Sequence, residues 1–190
     1  MQYMMYCINR KSCIWVISLV AVDQLIKLLI SRYMMYAHFT IIPYIFTFRI
    51  SQNIHLGWIW NRLDFMMPLV LAVLISVIAI ITIVVFHRYL IFLTSKWCKY
   101  HRIPYVFLIL GLSVGVCKII DDIFWGGSLD YIQLFNWFIF DLKDVYAAAV
   151  VVVVLYFLIA YEIDSRKLSK EKRKEQGFLN WIKHGLNLYQ

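Results

Sequence analysis

Polar and apolar residues are segregated along this chain into long blocks, without the short period of an amphipathic helix or a half-buried strand. Four stretches, about Cys13–Ile30, Met67–Phe86, Tyr105–Ile120 and Val145–Tyr161, are almost wholly apolar. A helix needs roughly 20 such residues to cross about 30 Å of hydrocarbon, so the pattern predicts four transmembrane helices. The segment between the first two, residues 31–66, is too long for a simple connector. Its middle, Ile41–Ile50, is rich in β-branched and aromatic residues and predicts a strand or small sheet lying on the outer surface. Residues 121–144 form a second such segment, with another strand-like run at Leu134–Phe140. After the last apolar block, residues 164–176 alternate Lys, Arg and Glu and read as a solvated helical tail. Phe178, Leu179, Trp181, Ile182 and Leu186 then follow at helical spacing, which suits a helix lying flat on the inner leaflet. The reading is one membrane α-helical domain, residues 1–163, and a basic tail, residues 164–190.

Composition agrees. The chain has 190 residues, 63% of them hydrophobic, and a mean hydropathy of +0.72, an apolar excess that needs lipid as its solvent. The first apolar block contains Asp23 and Lys27 and is followed by no small-residue cleavage site, so it reads as a retained span and not a cleaved signal peptide.

Charge sets the expected orientation. Arg10 and Lys11 precede the first span, and Arg88, Lys96, Lys99 and Arg102 lie between the second and third. Arg166, Lys167, Lys170, Lys172, Arg173, Lys174 and Lys183 follow the fourth. With four spans these regions share one side and hold most of the 19 basic residues, which predicts that side, with both termini, to be cytoplasmic. The net charge of +8 is on this reading a topology signal, and nucleic acid is not an expected partner. Cys7, Cys13, Cys98 and Cys117 show no zinc-type spacing, and none falls in an outer loop, so neither a metal site nor a disulfide is expected.

The acidic residues are less evenly placed. Asp121, Asp122, Asp130, Asp141 and Asp144 all fall in the second outer segment. Asp121 and Asp122 close the third span and Asp144 opens the fourth. Asp23 lies inside the first span with Lys27 at i+4, on the same helix face; ionisable groups at that depth are costly and mark a candidate functional site, although a purely structural ion pair fits too. Two span ends that pack together would bring Asp121 and Asp144 face to face. Carboxylates a few ångströms apart cannot both ionise cheaply and share a proton, the apparatus with which one carboxyl activates water and the other holds a proton on a carbonyl oxygen.

These residues resemble the motifs of the lipoprotein signal peptidases (signal peptidase II), membrane aspartic endopeptidases. Asp23-Gln24-Leu25-Ile26-Lys27 fits the family's D-Q-x-x-K. Asn53 stands where the family has the Asn of N-x-G-x-x-F. The run Lys118 to Asp130 is similar to G-N-x-x-D-R-(x)n-G-x-V-x-D, and Phe140-Asp141-Leu142-Lys143-Asp144 to F-N-x-A-D. The resemblance covers about residues 13–161. It implies four transmembrane helices with a small extracytoplasmic β-platform, Asp121 and Asp144 as the catalytic pair, and Asp23, Lys27, Asn53, Lys118, Asp122, Asp130 and Asp141 as binding or supporting residues. It implies no metal or organic cofactor. The implied substrate is a prolipoprotein cut before its diacylglyceryl-modified cysteine, at the cytoplasmic (inner) membrane of a bacterium, by a protein expected to be a monomer in contact with membrane lipid. Four neighbours of the pair depart from the pattern: Cys117-Lys118 replaces G-N, Asp122 replaces Arg, Asp141 replaces Asn and Lys143 replaces Ala. Lys118 is within helical reach of both Asp121 and Asp122, and the sequence allows either pairing. The departures keep open an inactive relative that binds lipidated peptides or a membrane partner; Asp23 and Lys27 alone would also suit a transporter's proton path.

Overall fold

The computed structural model describes residues 10–54, 68–95, 100–166 and 181–182. The elements run α1 (Arg10–Tyr33), β1 (His38–Ile42), β2 (Phe46–Asn53), α2 (Leu69–Ser95), α3 (Ile103–Ile120), a π turn (Asp121–Trp125), β3 (Ser128–Leu134), β4 (Phe138–Phe140) and α4 (Leu142–Ser165). Each apolar block has become a helix long and apolar enough to cross a membrane. The helices overrun their apolar windows, because a backbone in lipid must satisfy its own hydrogen bonds until it reaches water. Cys7, Cys98 and most of the expected surface helix at Phe178–Tyr189 lie outside the described residues. Of that segment Trp181 and Ile182 are helical, and the Trp181 ring sits 5.5 Å from the ring of Tyr89 on α2.

Helix α3 is the hub and packs against α1, α2 and α4. Two glycines let α2 come close. A Cβ on Gly111 would stand 2.9 Å from the Ile83 side chain, and one on Gly115 would stand 2.5 Å from Ile80, the small-xxx-small contact by which helices associate in lipid. Leu90, Leu93, Tyr100, Phe107 and Phe157 close the bundle at the end away from the sheet. Ile14, Ile17, Leu25, Val151 and Leu155 stay exposed, as side chains that face acyl chains must.

The four strands form one antiparallel sheet in the order β1-β2-β3-β4, docked on the end of α1 through Ile30, Phe48, Leu129 and Tyr131. β3 is its buried strand and β1 is exposed throughout. The β2–β3 register sets Ser51 opposite Asp130 and Asn53 opposite Ser128, which aligns the polar residues of both strands toward the bundle.

Where the sequence predicts one strand-like run at Leu134–Phe140, the structure has a hairpin. Phe135 and Asn136 take φ of 47° and 58°, and Trp137 N–H donates to Leu134 C=O at 2.9 Å. Two successive positive φ values define the tight turn that matches strand twist, and the aromatic Phe135 hides that turn from a composition-based reading. The β1–β2 hairpin turns at Pro43-Tyr44, with Tyr44 at φ 65°.

The π turn joins α3 to β3 and widens the helix at its end: Gly127 N–H reaches back to Asp121 C=O at 3.2 Å. Gly127 has φ of 139°, and a Cβ there would lie 2.5 Å from the Asn53 carbonyl oxygen. Backbone against backbone cannot yield cheaply. Gly127→Ala is expected to destabilise the protein by about 1–3 kcal/mol, read as a lowered thermal midpoint in detergent; an unchanged midpoint would contradict this account of the junction.

Candidate active site

The site forms where the π turn, the start of α4, one face of α1 and strands β2 and β3 meet. Its centre is Lys27. The side chain is fully buried, and its Nζ lies 3.0 Å from Asp23 Oδ2, 2.6 Å from Asp121 Oδ2 and 2.7 Å from Asp141 Oδ2. It also donates to Asp121 Oδ1 at 2.8 Å. The D-Q-x-x-K spacing makes this possible, because i and i+4 stand above one another on a helix. Gln24 extends the cluster, donating to Asp121 Oδ1 at 3.0 Å and to Asp23 Oδ2 at 3.1 Å while accepting from the Trp125 indole at 3.0 Å.

A second ammonium lies beside the first. Lys143, 7% exposed, is 2.6 Å from Asp141 Oδ2, 3.3 Å from Asp121 Oδ2, 3.9 Å from Asp130 Oδ1 and 4.0 Å from Asp144 Oδ1. It also donates a short hydrogen bond to Ser128 Oγ. Its own backbone N–H donates to Asp23 Oδ1 at 3.1 Å, which ties the start of α4 to α1. Asp23, Asp121 and Asp141 converge within 4.8 Å, as do Asp130, Asp141 and Asp144. Carboxylates gathered so closely need positive charge among them, and Lys27 and Lys143 supply it.

Asp141 and Asp144 cap α4 reciprocally. Asp144 N–H donates to Asp141 Oδ1 at 3.2 Å and Asp141 N–H donates to Asp144 Oδ2 at 3.3 Å, a capping box that uses the positive helix end. Burial alone would push the Asp141 carboxyl up, but the ammoniums of Lys143 and Lys27 outweigh it and hold that carboxyl below the ordinary carboxylate range. On β3, Ser128 Oγ lies 2.7 Å from Asp130 Oδ1 and 3.0 Å from Asp141 Oδ2, and Asn53 donates to Asp130 Oδ2 at 3.3 Å. Burial pushes Asp130 up to about 6, against the opposing pull of Lys143 and Ser128.

Asp121 and Asp144 occupy different environments. The Asp121 side chain is fully buried, whereas that of Asp144 is 47% exposed. Because Lys143 reaches both, their nearer oxygens are no more than about 7 Å apart. Asp144, Asp130, Ser128 and Lys143 line a cavity of about 800 Å³. Ile75, Ala79 and Ile83 of α2 and Val114 and Gly115 of α3 make its apolar wall, and Arg49, Asn53 and Lys118 add polar groups. Asp121 is not among its lining residues.

Of the residues singled out from sequence, Asp23, Lys27, Asn53, Asp121, Asp130, Asp141 and Asp144 fall in this one network. Lys118 and Asp122 form a separate ion pair along α3 and its π turn. Lys118 thus takes Asp122, yet Asp121 is not released by that pairing, because Lys27 holds it instead. Gln24, Ser128 and Lys143 join the network without having been among the predicted site residues. Gln24 had a signal in its place within D-Q-x-x-K; Ser128 had none, since only the strand register brings it to Asp141.

The chain matches the family model for signal peptidase (SPase) II over residues 15–161. Among solved structures, one described as a bacterial membrane enzyme structure, obtained by the in meso method at 2.3 Å resolution, aligns with a TM-score of 0.64 and 21% identity. That alignment covers 84% of this chain and 93% of the other. A second, described in the same words at 1.9 Å, aligns with a TM-score of 0.61 and 21% identity over 78% and 92% of the two chains. Both are likenesses of fold. No curated protein matches significantly.

Two outcomes test this geometry. Lys27→Met would leave three buried carboxylates without their shared cation and is expected to cost at least about 3–5 kcal/mol, read by thermal unfolding in detergent; a shift under 1 °C would contradict the network. Asp130 has a native value above its unfolded one of 3.8. The stability it contributes is therefore fully present below that unfolded value and is lost as the pH rises through about 6. Infrared difference spectra should show a carboxylic acid band lost near that pH and absent from Asp130→Asn; a band unaffected by the substitution would overturn the assignment.

Proposed function

We propose that this chain, which belongs to the signal peptidase II family, is a membrane aspartic endopeptidase that releases the signal peptide of bacterial prolipoproteins by cutting before the diacylglyceryl-modified cysteine. The observation that carries the reading is the position of Asp144: its half-exposed carboxylate opens into a cavity whose other wall is apolar helix surface. A substrate with a lipid-bearing cysteine needs that combination, an acyl-compatible wall beside a carboxylate that can reach water. Asp144 takes a proton from the attacking water. Asp121, set behind it in the ion network, is the second carboxylate of the pair. Asp23, Lys27, Asn53, Asp130 and Asp141 hold the pair in place, and the Lys118–Asp122 ion pair braces the span end beside it.

The distribution of Lys and Arg supports the orientation proposed with this function. The sheet end lies outside the cytoplasmic membrane and both termini lie inside, so the cavity opens where an exported, lipid-anchored precursor presents its peptide bond. The protein works as a monomer in contact with membrane lipid, on a prolipoprotein partner.

Purified protein in detergent, given a diacylglyceryl-modified prolipoprotein, is expected to release the signal peptide. Asp144→Asn should lower that rate at least about 10²-fold, the lower range for loss of a general base. No cleavage by the wild-type protein, or equal cleavage by Asp144→Asn, would refute the proposal. A refuted peptidase that still binds the lipidated peptide would be a binding relative.

A further inference from the structure

We propose that Lys143 is the electrophile of the reaction, its ammonium standing where an aspartate pair would hold a shared proton. The inference deepens the peptidase reading and rests on it. Three observations carry it.

The first is that both oxygens of Asp121 are already engaged by donors and face away from the cavity. Its oxygens accept from Lys27 twice, at 2.8 and 2.6 Å, and from Gln24 at 3.0 Å, and the residue is sealed from the cavity. The second is that Lys143 lines the cavity and bridges the pair, 3.3 Å from Asp121 and 4.0 Å from Asp144. The third is the use of its three N–H bonds. Two are committed to Asp141 and Ser128. The contacts left for the third, 3.3 to 4.0 Å, are longer than ordinary hydrogen bonds, so a carbonyl oxygen in the cavity can compete for it. Of the other cavity cations, Lys118 is engaged by Asp122, and Arg49 of β2 forms no ion pair with Asp121 or Asp144 among the described contacts.

The step balances with water as the only co-reactant. Asp144 removes a proton from water as the oxygen bonds to the scissile carbonyl carbon. The carbonyl π pair moves onto its oxygen, which accepts the Lys143 N–H. On collapse that pair re-forms C=O, the C–N bond breaks, and the cysteine nitrogen takes the proton from Asp144. The new carboxyl group of the signal peptide gives up its proton to solvent. Asp121 and Asp141 act as positioning residues that aim the ammonium.

The two mechanisms differ in pH dependence. A shared carboxyl proton is lost as pH rises past about 5, whereas lysine ordinarily keeps its charge to about 10.4. The groups facing Lys143 are Asp23 and Lys27 of α1, Asp121 of the π turn, Asp130 of β3, Asp141, and Asp144 of α4. Lys118 of α3 and Arg49 of β2 share the cavity, and α2 contributes Ser76, which does not titrate.

The test is kcat/KM against pH on a diacylglyceryl-modified prolipopeptide in detergent, for wild type, Lys143→Ala and Lys143→Arg. Wild-type activity is expected to rise as Asp144 loses its proton and then stay level to about pH 9. Lys143→Ala should lower kcat about 10²-fold or more, as loss of an oxyanion donor does, with KM little changed. Added methylammonium should restore part of the rate, and Lys143→Arg should keep part of it. An alanine variant as fast as wild type, or wild-type activity that falls away as pH rises past about 5, overturns the inference while leaving the peptidase reading intact. If Lys143→Ala fails to bind the lipopeptide, the wild-type profile decides alone. No cleavage by wild type at any pH overturns the peptidase reading itself and this inference with it.

Discussion

A lysine ammonium fully buried at a membrane-spanning helix end cannot be left alone, and the rest of the site is arranged by that requirement. Lys27 draws carboxylates from three parts of the chain: Asp23 from its own helix, Asp121 from the π turn and Asp141 from the residue before α4. Each contact fixes the depth of one element relative to α1. The Asp23 carboxylate then fixes α4 a second time through the Lys143 backbone. Helices that associate in lipid gain nothing from hydrophobic exclusion, so a central charge that must be surrounded is a strong determinant of which faces meet. Five carboxylates stand around two ammoniums here, and burial raises the Asp130 carboxyl among them above the ordinary carboxylate range.

The departures from the family pattern are not independent. Lys118 and Asp122 pair with each other, and Lys143 lies 2.6 Å from Asp141. Each substituted cation thus has a substituted anion as its partner, one pair beside the cavity on α3 and one at the head of α4. The replacements therefore partly offset one another's charge. Their chief consequence is to put an ammonium between Asp121 and Asp144, where a carboxylate pair alone would have to share a proton.

Much of the fold could be read in advance because lipid imposes a coarse rule: an apolar block of sufficient length becomes a helix. The strands were legible only in part. Pro43-Tyr44 punctuates the first hairpin, but Phe135-Asn136 turns the second with an aromatic residue at positive φ, and a run of aromatics reads as uninterrupted strand. The acidic residues of the site were legible because charge within or beside a span is conspicuous. Ser128 was not, since a serine in a strand carries no signal until register places it against Asp141. Nor could the sequence decide the partner of Lys118, because i+3 and i+4 are both near on a regular helix; in the structure Lys27, from another helix, holds Asp121, and Lys118 pairs with Asp122.

The central claim is that a water molecule activated at this cluster cuts one particular bond. Incubation of a diacylglyceryl-modified prolipoprotein with the protein in ¹⁸O-labelled water, followed by mass spectrometry of both products, tests it directly. The account predicts a single labelled oxygen in the new carboxyl terminus of the signal peptide and a free amino group on the lipid-modified cysteine. An intact precursor, or a cut at any other bond, would contradict it.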